Sequence, residues 1–284
     1  MRRIISLFLI VLFCFASFSF PLRSIEVIES NTIYVDDNNT LGPWDGSQEH
    51  PYQFIQDGID NASDGDTVYV YNGTYYESIQ INTLSLSIVG ESKYSCIVDG
   101  TGSQVIFNVL GFHVIIEKFT IQNSSKNGVG IKIGDFLSCC DAKIENNIIT
   151  NTGYGIFTPS TNMGLRHNQH QIKNNVIKNS SNCGIILKVT DKSIIANNNF
   201  ISNKCGIKLE WSIGNRIKQN NFIDNELDAT FDSGFCTIWS SNFYSNHNSN
   251  FPFLIYGTLF EMKYPWFNVD WHPAKEPYEI DIGD

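Results

Sequence analysis

The pattern of apolar and polar residues in the middle of the chain repeats four times. Each copy places short apolar or β-branched residues between asparagines. The copies are Asn146–Asn151, Asn174–Asn179, Asn198–Asn203 and Asn220–Asn225. The first three are each followed by a Gly-Ile pair, at Gly155-Ile156, Gly184-Ile185 and Gly206-Ile207. Short β-branched runs separated by Gly, Asn, Ser and Asp predict β-strands rather than helices.

The spacing of the copies predicts how the strands are arranged. The last asparagine of the phrase recurs at positions 123, 151, 179, 203 and 225, which gives steps of 28, 28, 24 and 22 residues. Steps in the low twenties match one coil of a parallel β-helix, which contains three short strands and three turns. The prediction is an all-β, right-handed, single-stranded parallel β-helix over residues 32–230, including an N-terminal cap.

Stacked coils place equivalent residues above one another, so the repeats predict apolar columns inside the helix. The predicted inward columns are Ile121, Ile149, Ile177, Ile201 and Ile223; Ile131, Ile156, Ile185 and Ile207; and Ile133, Leu187 and Leu209. The bracketing asparagines are expected at left-handed bends, with their amides bonded to equivalents one coil away.

Both ends of the coil array depart from the repeat. Residues 51–62 begin with Pro51 and carry apolar residues at helical spacing, which predicts a short amphipathic helix as the N-terminal cap. Residues 231–284 are rich in aromatic side chains, and an open β-helix end needs an apolar cover. We therefore predict an aromatic C-terminal cap there, and a bulge between coils at Thr158–Gln169.

The beginning of the chain predicts export. Arg2 and Arg3 precede a largely apolar run, and residues 1–19 fit a cleaved signal peptide or, alternatively, an uncleaved membrane anchor. The formal charge is -10, and removal of Arg2 and Arg3 would make it -10 - 2 = -12. Such a surface repels nucleic acid and anionic membranes, so contact with a membrane is expected only through an uncleaved N-terminal segment.

Six cysteines lie outside the signal segment, without the spacing of a zinc site. Cys183 and Cys205 occupy the same place in consecutive repeats, just before the Gly-Ile pair. Equivalent residues in stacked parallel strands lie roughly 4.8 Å apart, within reach of a disulfide. Two stacked free thiols are an equally open interpretation.

The repeats resemble those of parallel β-helix proteins of the pectin lyase-like superfamily, specifically the NosD-like, carbohydrate-binding and sugar-hydrolase type. The resemblance is carried by the Asn-Asn-x-Ile-x-Asn phrases, by the Gly-Ile strands and by the run from Val114 to Asn123. Residues 51–77 resemble the leading cap of the same proteins. The resemblance implies a fold, and functions that range from polysaccharide lyases to surface adhesins and periplasmic accessory proteins.

Lyases of this fold use Arg or Lys as the base and calcium held by clustered Asp, in a groove on the outward face of the Gly-Ile strand. That face here is expected to present Lys132, Phe157, Ile186 and Lys208, without an Asp cluster. The candidate carbohydrate-binding residues are Lys188, Lys208, Glu210 and Trp211. Trp would stack on a sugar and the charged groups would hydrogen-bond it; the alternative is an ordinary solvated strand face.

Catalytic residues are not assigned. Asn215-Arg216-Ile217-Lys218 is similar to the Arg-Ile-Lys of polygalacturonases, but the aspartates and Gly-His-Gly that accompany it there are absent, and the tetrapeptide fits the repeat register. Inverting glycoside hydrolysis needs two carboxylates roughly 6.5–9.5 Å apart, and no such pair between coils is predicted.

Two metals are considered as cofactors. NosD-like proteins are associated with copper delivery, and Met163, His167 and His170 are suitable copper ligands. Asp36, Asp37 and Asp45 are candidates for calcium. Solvated polar loops are the alternative interpretation in both places.

The predicted function is an exported carbohydrate-binding or surface-interaction protein, with a polysaccharide or cell-surface glycan as partner. A polysaccharide lyase or glycoside hydrolase is one alternative, and a NosD-like copper-delivery accessory protein is another.

Overall fold

The computed structural model describes residues 30–82, 85–135, 140–159, 169–247, 251–259 and 264–280. The predicted signal segment and most of the predicted bulge at Thr158–Gln169 lie outside these ranges. Within them the chain forms a right-handed parallel β-helix, as predicted.

The strands are short and follow one another around each coil. In chain order they are β1 (Thr32–Val35), β2 (Thr67–Val70), β3 (Gly73–Tyr75), β4 (Ile79–Ile81), β5 (Ser87–Gly90), β6 (Cys96–Asp99), β7 (Val105–Val109), β8 (Val114–Glu117), β9 (Thr120–Gln122), β10 (Val129–Ile133), β11 (Ala142–Glu145), β12 (Ile148–Thr150), β13 (Tyr154–Thr158), β14 (Gln171–Lys173), β15 (Val176–Lys178), β16 (Cys183–Lys188), β17 (Ile194–Ala196), β18 (Asn199–Ile201), β19 (Cys205–Glu210), β20 (Arg216–Lys218), β21 (Asn221–Ile223), β22 (Leu227–Asp232), β23 (Ile238–Ser240), β24 (Phe243–Tyr244), β25 (Phe253–Leu259) and β26 (Tyr264–Asp270). The helix of the described residues is α1 (Ile55–Asp60).

Stacking of the coils sorts the strands into three ladders, which we call sheets A, B and C. Sheet A contains β1, β2, β5, β8, β11, β14, β17, β20, β23 and β26; sheet B contains β3, β6, β9, β12, β15, β18, β21 and β24; sheet C contains β4, β7, β10, β13, β16, β19, β22 and β25. Each coil runs from A to B to C, and every pairing within a sheet is parallel. The antiparallel pair β25–β26 links sheets C and A at the C-terminal end.

A column of buried asparagine side chains fixes the corner between sheets A and B. Its members are Asn147, Asn175, Asn198, Asn220 and Asn242, all fully buried. Each follows a residue with positive φ, namely Asn146, Asn174, Asn197, Gln219 and Ser241. The Asn175 amide donates to Asn198 Oδ1 at 3.0 Å and to the Ile144 carbonyl at 2.9 Å, and Asn198 repeats the pattern with Asn220. Because the amide supplies both a donor and an acceptor, one side chain satisfies buried backbone groups of two coils.

One of the predicted apolar columns is wrong in its last two members. Ile121, Ile149 and Ile177 point inward as predicted, but the next positions are filled by Phe200 and Phe222, and Ile201 and Ile223 lie on the outer side. In the third and fourth copies it is the first asparagine, not the second, that joins the buried column. A shift of one residue moves every side chain of a strand to the opposite face.

The predicted columns of sheet C are confirmed. Each of their members is at most 2% exposed, from Ile131 to Ile207 and from Ile133 to Leu209. The columns continue into neighbouring coils through Phe107, Val109, Ala229 and Phe231. The core is therefore one continuous apolar rod, since no coil buries its inner face alone.

Both ends are covered. Helix α1 is shorter than the predicted 51–62, and its first amides donate to the carboxylate of Glu77 at 2.8 and 3.0 Å. At the other end the ring of Phe253 stacks on Tyr244, with centroids 3.7 Å apart. Fully buried Asp270 closes the asparagine column, because its carboxylate accepts both the backbone amide and the side-chain amide of Asn242 at 2.9 Å.

Replacing Asn198 by Ala tests the asparagine column. The change leaves buried amides and carbonyls of adjacent coils without partners, each costing about 1–3 kcal/mol. We expect the free energy of unfolding to fall by roughly 3 kcal/mol, measured by urea denaturation. Asn127→Ala, in an exposed turn, is the matched control and should change it by less than about 0.5 kcal/mol. Equal urea midpoints for the two variants would contradict a structural role for the column.

Candidate functional site

The outward face of sheet C carries the predicted binding residues, and a glycine determines which residues face outward. A Cβ on Gly184 would lie 2.8 Å from the Gly206 carbonyl oxygen and 3.2 Å from the Ile177 side chain, so position 184 faces the core. Ile185 also faces the core. Two consecutive inward positions reverse the alternation, so Cys183 and Ile186 lie on the outside together, apart from the main core.

We call this surface the sheet C face. Its outward residues form three in-register columns. They are Tyr154, Cys183, Cys205 and Leu227; Lys132, Phe157, Ile186, Lys208 and Thr230; and Lys188, Glu210 and Asp232. Adjacent members of a column lie roughly 4.8 Å apart, as in any parallel sheet.

Glu210 joins two of the predicted residues into one ionic group. Lys188 Nζ lies 2.8 Å from Glu210 Oε2, and Lys208 Nζ lies 2.6 Å from Glu210 Oε1. Burial opposes ionisation of Glu210, but the hydrogen bonds from the two lysines outweigh it and hold the pKa of this carboxyl below its usual value. Both lysine side chains remain about one third exposed, at 30% and 38%, so the ammonium groups can still meet a ligand.

Aromatic side chains flank this group. The Lys188 ammonium lies 5.7 Å from the centre of the Phe157 ring, and Phe157 packs against Tyr154 at 5.8 Å. Trp211, which was predicted as the stacking residue, has a positive φ at the end of β19, and its backbone amide donates to the Asp232 carbonyl. The structure thus brings Lys188, Lys208 and Glu210 together and places Trp211 at the adjoining bend.

One pair of carboxylates does occupy neighbouring coils on this face. Glu210 and Asp232 are register partners on β19 and β22. Asp232 Oδ1 accepts hydrogen bonds from Ser233 Oγ at 3.1 Å and from Thr258 Oγ1 at 2.9 Å. A glycosidase needs one carboxyl with a raised pKa as its general acid, and Glu210 has the opposite shift.

The C-terminal strand extends the sheet C face beyond the repeats. β25 pairs in parallel with β22, and Thr230 Oγ1 donates to the Tyr256 carbonyl at 2.9 Å. The Tyr256 side chain is 64% exposed. Asp232 and Tyr256 were not predicted because residues 231–284 were expected to form a cap, and Thr230 was not singled out although it lies in the predicted β-helix. The aromatic and β-branched residues of Phe253–Leu259 are the sequence signal that would have indicated this strand.

The predicted copper residues are only partly described. Met163 and His167 lie outside the described ranges. His170 is buried, burial lowers its pKa to about 4, and neither ring nitrogen has a hydrogen-bond partner among the described residues. In that part of the chain, no three His, Cys, Asp or Glu side chains lie close enough to hold an ion. The described imidazole alone does not make a copper site. Among the described cysteines, Cys183 and Cys205 are two soft donors on neighbouring strands that pack in one cluster.

The predicted calcium carboxylates hold turns of the N-terminal cap. Asp36 Oδ1 accepts the Asn38 amide, Asp37 Oδ2 accepts the Thr74 amide, and Asp45 Oδ1 accepts the amide of Ser47.

Across the ranges that the structure describes, no helix is long and apolar enough to cross a membrane.

The pH dependence of folding stability in the Glu210→Gln variant tests the ionic group. The folded-state pKa of Glu210 is depressed, so ionised Glu210 stabilises the fold above the unfolded pKa of about 4.3, and this contribution is lost as the pH falls through the lower folded-state pKa. We expect Glu210→Gln to be less stable than the wild type near pH 7 and the two to converge in acid, measured by urea midpoints. A stability difference that does not change with pH would rule out the ionic contribution.

The chain is similar in structure to several solved proteins. The GH136 lacto-N-biosidase from Eubacterium ramulus matches with a TM-score of 0.56 and 11% identity, over 75% of this chain and 56% of that one. This chain thus spans just over half the length of that enzyme. Pectin methylesterase PemA from Erwinia chrysanthemi has a TM-score of 0.46 and 12% identity, covering 84% of each chain. An alginate lyase from Paenibacillus has a TM-score of 0.39 and 14% identity, covering 87% of this chain and 98% of its own.

Sequence comparison identifies the family. No curated protein sequence matches the chain. The sequence profile of the family described as periplasmic copper-binding protein (NosD) matches residues 59–251. This region covers well over half of the 284 residues, so the chain belongs to the NosD family.

Proposed function

We propose that the protein is an exported glycan-binding protein that holds a saccharide along the sheet C face. One observation carries this proposal: the ionic group of Glu210 and the exposed ring of Tyr256 lie on the same in-register strip. Hydrogen-bonding groups and an aromatic face on one surface are what a sugar needs, since it has hydroxyls around its rim and apolar C–H groups on its faces.

The geometry suits an extended chain of sugars. The columns run along the solenoid axis, so side chains of successive coils lie in line at the coil spacing of about 4.8 Å. Lys208 is followed by Thr230 and then by the strand position of Tyr256, which gives charged, hydroxyl and aromatic contacts in sequence. A linear ligand laid along the axis would meet all three.

Binding is better supported than catalysis. The ionised Glu210 is held by two lysines, and Asp232 is held by two hydroxyls, so neither carboxyl is arranged as a proton donor. The lacto-N-biosidase shares the fold at 11% identity, which supports a saccharide ligand by analogy and says nothing of this chain's chemistry. Export is proposed on the family's periplasmic description together with the basic and apolar start of the sequence.

A glycan array probed with the purified protein tests the proposal, and Tyr256→Ala and Lys208→Gln locate the binding surface. We expect each variant to lower the affinity for the retained glycan about tenfold, which corresponds to about 1.4 kcal/mol. The reason is the loss of a stacking surface in one variant and of a charged hydrogen-bond donor in the other.

The matched control is Tyr94→Ala, which removes an exposed tyrosine ring, 56% exposed, from a turn of another coil. It should bind like the wild type. The proposal would be contradicted if the wild type retained no glycan, or if Tyr94→Ala and Tyr256→Ala lost glycan affinity equally. Release of reducing ends or unsaturated sugars from a retained glycan would favour the enzymatic alternative instead.

A further inference from the structure

Two cysteines form a small cluster on the sheet C face that glycan binding does not use. Cys183 and Cys205 are 2% and 8% exposed and pack with Ile186 beneath the half-buried rings of Tyr154 and Phe157. They belong to consecutive coils at the same strand position. Both are free thiols.

The two sulfurs are direct neighbours. The pairing of Ile185 with Ile207 places Cys183 of β16 beside Cys205 of β19, and the two side chains pack in one cluster. The Cys183 thiol also lies 3.2 Å from the Ile185 carbonyl and 3.9 Å from the Gly206 carbonyl. The Cys183 thiol therefore has only weak polar partners, and apolar side chains pack against both cysteines.

Coil spacing favours a bridging ion over a disulfide. The strand spacing of roughly 4.8 Å lies within the Cα range of a disulfide, but a disulfide also needs Cβ atoms about 3.5–4.5 Å apart, so the coils would have to move together to form one. Metal–thiolate bonds in proteins are about 2.3 Å long, so two thiolates on opposite sides of one ion lie up to about 4.6 Å apart. The register of β16 and β19 thus accommodates two sulfur–metal bonds without drawing the coils together.

The charges around the pair select a monovalent ion. Two thiolates and one monovalent cation leave a single negative charge. Lys208 follows Cys205 by three residues on β19, and its ammonium supplies a compensating positive charge on the same face. Both cysteines are nearly fully buried, so an ion must bond strongly to sulfur to offset the loss of its hydration shell.

We propose that Cys183 and Cys205 bind one soft monovalent metal ion of the Cu(I) class as a bis-thiolate site. Binding forms two metal–sulfur bonds and releases two thiol protons to solvent, with no change in oxidation state. Thiolates select such ions over harder divalent ones, and the apolar cover of Tyr154, Phe157 and Ile186 keeps water from the ion. The family description names copper, and this pair assigns it residues.

Anaerobic titration of the full chain with Cu(I) against a chromophoric chelator tests the site. We expect one tightly held equivalent in the wild type and an affinity at least about 100-fold lower in Cys183→Ser and in Cys205→Ser, because each loses half of the sulfur donors. Cys236→Ser removes an exposed cysteine from another face and should bind like the wild type. Circular dichroism checks that the variants keep the fold.

X-ray absorption of the copper-loaded wild type gives a readout that needs no variant. We expect a coordination shell of two sulfur atoms. A shell dominated by nitrogen or oxygen, or Cu(I) binding that is unchanged in the Cys183→Ser/Cys205→Ser double variant, would overturn the assignment. So would a Cys183–Cys205 disulfide found by peptide mapping of protein exported and purified without reductant. None of these results depends on glycan binding.

Discussion

The structure depends on one constraint: a polar group buried at every corner of the coil must find a partner in the next coil. The asparagines from Asn147 to Asn242 meet it by passing hydrogen bonds from coil to coil. An unsatisfied buried amide costs on the order of 1–3 kcal/mol, so coils stack in the one register that aligns these side chains. Burial of the apolar rod supplies the main driving force, but it tolerates exchange of Ile for Phe, as at Phe200. In contrast, a shift of one residue in the strand register would move the asparagine side chains out of the column and leave buried backbone groups without partners.

That register also assembles the proposed binding surface. Residues far apart in sequence, such as Lys188 and Glu210, meet because they lie at equivalent points of neighbouring coils. The same rule places Cys183 against Cys205 and carries the sheet C face into β25. A substitution on this face changes surface chemistry at little structural cost, since the core column beside it remains intact. A parallel β-helix can thus acquire a binding strip without redesign of its interior.

The fold could be predicted from the sequence because each repeat shows the same pattern of apolar, asparagine and glycine positions. It predicted the coil, the sheet C columns and the capping helix. The prediction of the inward-facing residue was wrong in the third repeat, where Phe200 and Ile201 are neighbours and both apolar. Only the position of the left-handed bend, at Ser202, shows which of the two faces inward. A bend residue can be Asn, Ser, Asp, Gln or Lys in this chain, so its place is hard to identify from side-chain type.

The site was harder to predict for a different reason. Lys188, Lys208 and Glu210 were found because they fall within recognisable repeats, and the structure shows that they touch. Asp232 and Tyr256 were missed because the repeat signal fades after Asn225, while the stacking itself continues. Pairing in the last coils depends on backbone geometry, which irregular sequence can also adopt.

The buried carboxylate of Asp270 has a consequence for how such a chain can change in length. The hydrogen bonds between successive side chains of the asparagine column run in one direction, because each amide donates to the side-chain oxygen of the next coil. Asp270 ends this series, since its carboxylate accepts from Asn242 and has no hydrogen to donate onward. Duplication of a coil anywhere before this residue leaves the terminator in place and adds one more identical link. Duplication that included Asp270 would set a carboxylate in mid-column with no donor to pass on, so growth of this solenoid is confined to its interior coils.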